Sequence, residues 1–152
     1  MLEQQRRWIL YLACFLLPYS ATQAASEAQD QVEYREGVFH VMAWDFSQMK
    51  RMLEDESRYN AEDFQRRANR LVDMAKMLPE GFPETRPKRV KTDAKKQIWE
   101  NWDDFQQKLN DIESKAGGLA EAAASGNKES VTKAFGAVGN SCKGCHDEYR
   151  KD

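Results

Sequence analysis

The chain has 152 residues, of which 41% are hydrophobic and 32% are charged, and its formal net charge is −2 at pH 7. This length fits one domain with a sizeable core and is too short for two ordinary domains. The near-balanced charge, with no dense basic patch carrying interleaved aromatic residues, excludes nucleic acid as an expected partner.

The first 24 residues have the pattern of an export signal. Arg6 and Arg7 precede an apolar run over residues 8–17, and Thr22-Gln23-Ala24 supplies small residues at a cleavage site. An apolar stretch of about ten residues is too short for a membrane-spanning helix of roughly 20. We therefore predict cleavage after Ala24, a periplasmic location, and one soluble domain over residues 25–152 with no stable membrane insertion.

The remaining sequence predicts helices, because apolar residues recur at helical spacing and no stretch alternates with a period of two. The first helix is expected to begin near Ser26, which has capping-box spacing to Gln29. The second should begin near Asn60 and end at Pro79. The apolar face of the first helix contains one charged residue and comprises Val32, Arg35, Phe39, Met42, Phe46, Met49 and Leu53.

A loop is expected from Pro79 to Pro87, where PEGFPETRP contains three prolines and a glycine. The third helix should open near Thr92, and Ser125-Gly126-Asn127 should end it and cap the fourth. Four helices joined by mostly short connections bury their apolar faces best in an antiparallel up-and-down bundle. The predicted fold class is therefore all-α, with any cofactor seated between facing helices.

The chemistry of the chain is concentrated in Cys142-Lys143-Gly144-Cys145-His146, which matches C-x-x-C-H, the attachment signature of c-type haem. Positions i, i+3 and i+4 share one helix face, so two thiols can form thioethers while the imidazole reaches the iron. A chance match in this composition has a probability of roughly one in a thousand. We predict one covalent haem c on Cys142 and Cys145, with His146 as the iron ligand.

Two other uses of the cysteine pair compete with haem attachment. Zinc sites need four ligands, and His40 alone remains as a plausible addition to the motif. A redox pair is expected beside a strand-to-helix turn, whereas this motif lies on a helical pattern near the chain end. A haem-free metal-binding or structural helical bundle therefore stays open as an alternative of a different class.

Three segments carry a resemblance to a known family: EYREGVFHVMAWDFSQM in the first helix, AFGAVGNSCKGCH before the motif, and CKGCHDEYR at the C-terminus. With these segments the chain resembles the class II cytochromes c, and among them cytochrome c′. The resemblance implies that His146 is the proximal ligand and that Arg150 flanks the proximal pocket. It also implies that Arg35 meets a haem propionate; the alternative for Arg35 is a solvated residue at the helix start.

The resemblance further places Phe39 on the distal side of a five-coordinate iron. Phenylalanine has no lone pair to donate, so the pocket would exclude water and large anions yet admit NO and CO if the ring moves. Met42 lies one turn beyond Phe39, and a thioether is a possible haem ligand. A low-spin electron carrier with His and Met ligands is therefore the alternative within the same family.

The function implied by the resemblance is one-electron exchange with a redox partner protein, binding of NO and CO, or both. No enzymatic activity is expected, since no other polar constellation in the sequence competes with the haem motif. The resemblance also implies a homodimer packed through the first two helices. In this chain, apolar surface for such a contact is expected from Trp44, Met52 and Tyr59.

Overall fold

A computed structural model describes the backbone of residues 19–151 and the side chains of residues 27–151. Most of the predicted signal segment, residues 1–24, therefore lies outside the described residues. Two 3-10 turns, Glu56–Arg58 and Leu78–Gly81, follow the first and second helices. The α-helices are α1 (Tyr19–Glu54), α2 (Ala61–Met77), α3 (Gln97–Glu100), α4 (Trp102–Ser125) and α5 (Lys128–Tyr149).

The four long helices α1, α2, α4 and α5 form the predicted antiparallel up-and-down bundle, and α3 is a single turn before α4. Helix α4 packs along both α2 and α5, and α1 packs along α2. Across residues 19–151, no helix combines the length and apolar character that a bilayer span requires. The bundle core includes Met49, Phe64, Leu71, Phe105, Leu119 and Val138.

The predicted boundaries of α2, α4 and α5 are confirmed where a cap residue marks them. The Asn60 side chain accepts a hydrogen bond from the Asp63 backbone N–H at 2.8 Å, and Asn127 caps Ser130 in the same way. Gly126 ends α4 with φ 69°, in the left-handed region that glycine enters without a steric penalty. Local hydrogen bonding therefore determines these helix ends.

The expected start of the first helix is wrong, because α1 begins at Tyr19 and Ser26 lies inside it rather than at its N-cap. The sequence between these residues contains three alanines and no glycine or proline, so nothing in it opposes helix formation.

The expected start of the third helix is also wrong, since the chain stays non-helical until Gln97. The Thr92 hydroxyl does not cap a helix; it accepts hydrogen bonds from the Arg35 guanidinium at 2.6 Å and from the Ala94 N–H at 3.1 Å. Loop residues next to Thr92 instead pair with the end of α5, where the Tyr149 carbonyl accepts from the Lys95 N–H at 2.9 Å. Tertiary contacts therefore override the helical pattern at residues 92–96.

The buried face of α1 differs from the predicted one in a way that affects the expected dimer surface. Asp45 is fully buried and accepts hydrogen bonds from Arg67 and Arg70 on α2, at 2.9 Å and 2.6 Å. Met52 is buried in the core, so its assignment to an outer apolar surface is wrong. Half-buried Tyr59 also packs inward, with its ring 5.8 Å from that of Phe64.

Two apolar side chains of α1 remain on the surface. Trp44 is 59% exposed and Val41 is 40% exposed, and they lie three residues apart on the helix. Of the three residues expected to supply a dimer contact, Trp44 alone retains that position, and Val41 joins it.

Gly81 provides a test of how closely the 3-10 turn Leu78–Gly81 approaches α1. A Cβ atom at Gly81 would lie 2.5 Å from the Arg35 Cβ, so Gly81→Ala should lower the free energy of unfolding by about 1–3 kcal/mol. At Gly37, on the same helix as Arg35, an added Cβ would meet open space, and Gly37→Ala should be neutral or stabilising. Urea unfolding followed by circular dichroism measures the free energy of unfolding of both variants. Equal changes in the two variants would contradict the close approach of the turn to α1.

Candidate functional site

The last two turns of α5 line a cavity of about 590 Å³ inside the bundle. Cys142, Cys145 and His146 all contribute to its wall, as their i, i+3, i+4 spacing on one helix face predicts. Cys145 is buried, whereas Cys142 and His146 are half-buried. The C-x-x-C-H motif therefore brings both cysteines and the histidine to the wall of one cavity.

Part of the cavity wall comes from α1. Arg35, Phe39 and Met42 line it, and Arg150 borders it just beyond α5. All seven residues predicted for the site therefore meet at one cavity, whose volume falls within the range of about 300–1,000 Å³ typical of cofactor sites. The rest of the lining is largely apolar and includes Leu71, Phe82, Phe105, Leu109, Ile112 and Val138.

Aromatic rings form a continuous wall from α1 to α5. The Phe39 ring meets Phe82 edge-on with centroids 6.4 Å apart, and Phe82 meets Phe105 at 4.8 Å. Phe105 then contacts Tyr149 at 5.3 Å, again edge-on. Edge-to-face packing of this kind is favourable for aromatic quadrupoles, so neighbours on α4 and in the loop restrain the Phe39 ring.

Both cysteines are free thiols within the part of the chain that the structure describes. Burial raises the pKa of the Cys145 thiol to about 11 and raises the pKa of the Cys142 thiol as well. Metal binding and disulfide exchange require the thiolate, which this environment disfavours. Residues 27–151 also contain no cluster of three or more His, Cys, Asp and Glu side chains suited to a metal ion.

His146 is held where a neutral imidazole is favoured. Burial lowers its pKa, and the positive charge of Arg150 lowers it further. The backbone carbonyl of His146 accepts a hydrogen bond from the Arg150 N–H at 3.0 Å, which fixes the last turn of α5. A neutral imidazole retains the nitrogen lone pair that iron ligation needs.

Arg35 is buried, with 2% of its surface exposed, so the alternative of a solvated residue at the helix start is wrong. Its guanidinium donates hydrogen bonds to the Gly81 carbonyl at 3.1 Å and to the Thr92 hydroxyl at 2.6 Å. It also lies 4.9 Å from the centre of the Phe82 ring. Within residues 27–151 no carboxylate forms an ion pair with it, and burial lowers its pKa.

Sequence reasoning missed the contribution of the loop between α2 and α3 to this site. Gly81, Phe82 and Thr92 hold Arg35 or line the cavity. Phe82 is the single aromatic residue between Pro79 and Lys96, a signal that could have placed it in the core. The Tyr149 phenol donates a hydrogen bond to the Asp104 carboxylate at 2.5 Å. This contact was likewise not apparent from the sequence.

The residues on this cavity fit a covalently attached haem. One buried thiol, one half-buried thiol and an imidazole face a largely apolar space, and a buried guanidinium without a carboxylate partner borders it. A buried cation is costly unless it is paired, and a propionate of the haem is an anion of the required kind.

The comparisons with known proteins agree with this fit. The family model described as Cytochrome C′ matches residues 30–150. The chain is 34% identical over 132 residues to cytochrome c′ of Halomonas halodenitrificans, an alignment that covers 84% of this chain and all of that protein. It superimposes on cytochrome c prime from Shewanella frigidimarina with a TM-score of 0.78 and 35% identity, over 82% of this chain and 97% of that one.

Two further similar structures are of proteins whose ligands are mentioned in their descriptions. A nitric oxide complex of the L16A mutant of cytochrome c prime from Alcaligenes xylosoxidans has a TM-score of 0.75 and 30% identity, over 82% of this chain and 96% of that one. A cytochrome c′ with ligand-controlled dimer dissociation has a TM-score of 0.74 and 32% identity, over 82% and 97%. Given the extent of these matches, the chain belongs to the cytochrome c′ family, whose members carry one covalent c-type haem.

Proposed function

We propose that this chain is an exported periplasmic protein that holds five-coordinate haem iron through His146, exchanges one electron with a redox partner protein and binds NO or CO. The observation that carries the proposal is the cavity between α5 and α1, with His146 on one wall and Phe39 on the other. When bound, the haem supplies an iron that changes oxidation state by one electron and accepts small gases.

Each residue of the site has a specific part in this proposal. Cys142 and Cys145 would anchor the haem through thioethers, and His146 would donate its lone pair on the proximal side. Arg35 would pair with a propionate and remain tied to the loop through Gly81 and Thr92. Arg150, exposed and next to the last turn of α5, would flank the proximal side.

Phe39 would keep the distal side apolar. Its ring lines the same cavity as His146, packs against Phe82 and offers no lone pair to an iron. Water and large anions are disfavoured in such a space, whereas small neutral gases enter when the ring rotates. The nitric oxide complex of the L16A mutant of the Alcaligenes relative supports the binding of NO by a protein of this fold.

One observation favours a second candidate function, a low-spin electron carrier. Met42 is buried, lines the same cavity as Phe39 and lies three residues after it on α1. A thioether sulfur there could serve as a sixth ligand. The two candidates differ in whether the reduced protein binds CO without displacing a protein ligand.

The remaining parts of the proposal concern location and assembly. The signal segment would direct export and would be cleaved after Ala24, leaving residues 25–152 as the mature protein. The chain would act as a carrier and gas binder and not as an enzyme. A homodimer would form through α1 at the exposed Val41 and Trp44, a contact supported by the dimeric relative.

Covalent attachment is tested by mass spectrometry of the protein exported from a host that matures c-type cytochromes. Under denaturing conditions the intact mass should equal residues 25–152 plus one haem. Changing both Cys142→Ala and Cys145→Ala should remove the haem mass, because no thioether can then form. Lys143→Ala, an exposed change between the two cysteines, is the matched control and should keep the haem. A wild-type chain without haem would contradict the proposal.

The distal role of Phe39 is tested by flash photolysis of the CO complex of the reduced protein. If the ring imposes a steric barrier of about 1.4 kcal/mol, Phe39→Ala should raise the CO association rate about tenfold. Phe135→Ala, which removes a half-buried ring that does not line the cavity, should leave this rate unchanged.

Optical spectra of the reduced wild type and of Met42→Leu separate the two candidate functions. The reduced wild type should be high-spin, and Met42→Leu should preserve that optical spectrum. A low-spin wild type that becomes high-spin in Met42→Leu would establish methionine ligation and contradict the five-coordinate proposal.

A further inference from the structure

The loop before α3 carries a local positive charge that the chain as a whole lacks. Residues 84–96, here called the basic loop, contain six basic and two acidic residues, although the formal net charge of the chain is −2. The basic residues are Arg86, Lys88, Arg89, Lys91, Lys95 and Lys96. The charge of the protein is therefore distributed unevenly, with an excess of cations in this segment.

Most of these cations are not neutralised by neighbouring carboxylates. Lys96 forms an ion pair with Glu100 at 2.9 Å. Arg86, Lys88, Arg89 and Lys91 are all exposed, and within residues 27–151 none of them forms an ion pair. Unpaired surface cations grouped on one segment create a positive potential that extends over roughly a Debye length, about 8 Å at physiological ionic strength.

The basic loop is fixed beside the cavity. Its Asp93 carbonyl accepts a hydrogen bond from the Lys151 N–H at 2.8 Å, and Ala94 forms an antiparallel bridge with Arg150. Asp93, Arg150 and Lys151 are exposed and also line the cavity, so the cavity reaches the surface at the edge of the loop. A partner on the basic loop would therefore lie next to the opening of the proposed haem site.

We propose that the basic loop is the docking surface for an electron-exchange partner protein whose contact face is acidic. The inference rests on the proposed function and specifies the chemistry of the partner that this function requires. One electron passes between the partner and the protein, so one is oxidised as the other is reduced, with no bond made or broken. Complementary charge raises the encounter rate and favours this orientation over others.

A matched pair of double variants tests the proposal on the haem-loaded protein. Lys88→Glu with Lys91→Glu reverses two exposed charges of the basic loop. Arg51→Glu with Lys133→Glu reverses two exposed charges at the opposite end of the bundle, with the same change in net charge. Arg89 is left unchanged because its φ of 61° lies in the left-handed region. A substitution there would also alter the conformational energy of the backbone.

The probe is a flavodoxin, a small electron carrier of net negative charge. Calorimetric titration with oxidised flavodoxin at low ionic strength should show binding to the wild type that weakens with added salt. The loop variant should bind about tenfold more weakly, and the control variant should differ by less than twofold. The rate of haem reduction by flavodoxin hydroquinone, measured by stopped flow, should be lower in the loop variant than in the wild type and the control variant.

Three outcomes would overturn the proposal. They are equal losses of flavodoxin affinity in both variants, an affinity that does not depend on salt, and no binding of flavodoxin to the wild type. A fourth would assign the loop to a membrane surface, namely co-sedimentation with phosphatidylglycerol vesicles that the loop variant loses while its flavodoxin affinity is unchanged. Failure of the proposed function is seen separately, because protein without haem is colourless before any titration begins.

Discussion

The helical repeat of α5 is the constraint on which the site depends. Because residues i, i+3 and i+4 lie on one face, the spacing of Cys142, Cys145 and His146 brings two sulfurs and an imidazole to the same wall of the bundle. The bundle supplies the rest, since α1 and α4 keep an apolar space open in front of that face. An insertion of two residues between the cysteines would place one sulfur on a different face of the helix, away from the cavity.

The cavity combines an apolar interior with a buried charge, and these two features have opposite energetic consequences. Ring contacts from Phe39 through Phe82 to Phe105 stabilise the wall by burying aromatic surface. Burial of Arg35 is unfavourable, and hydrogen bonds to Gly81 and Thr92 offset it in part. A bound carboxylate would neutralise the guanidinium, which is why the proposed haem would stabilise the folded chain as well as function in it.

Much of this arrangement was predictable from the sequence because it depends on local spacing. The motif on α5, the caps at Asn60 and Asn127 and the glycine at position 126 act within a few residues. The helix repeat also placed Arg35, Phe39 and Met42 on one wall. Their meeting with the motif at a single cavity follows from the antiparallel bundle that the apolar faces predict.

What the sequence did not predict depends on contacts between distant residues. The third helix starts later than its pattern suggests, since Thr92 bonds to Arg35 and residues 93–95 pair with the end of α5. Asp45 is buried although charged, because two arginines on α2 reach it. Neither the contacts of residues 92–95 nor the hydrogen bonds of Asp45 are indicated by the spacing of nearby residues. Both become apparent only in the folded structure.

The most direct test of this account is to locate iron in crystals of the haem-loaded protein by anomalous scattering measured at the iron absorption edge. The account predicts one iron per chain, bonded to an imidazole nitrogen of His146, in the cavity between α5 and α1. Crystals with no iron, or with iron bound away from His146, would contradict it.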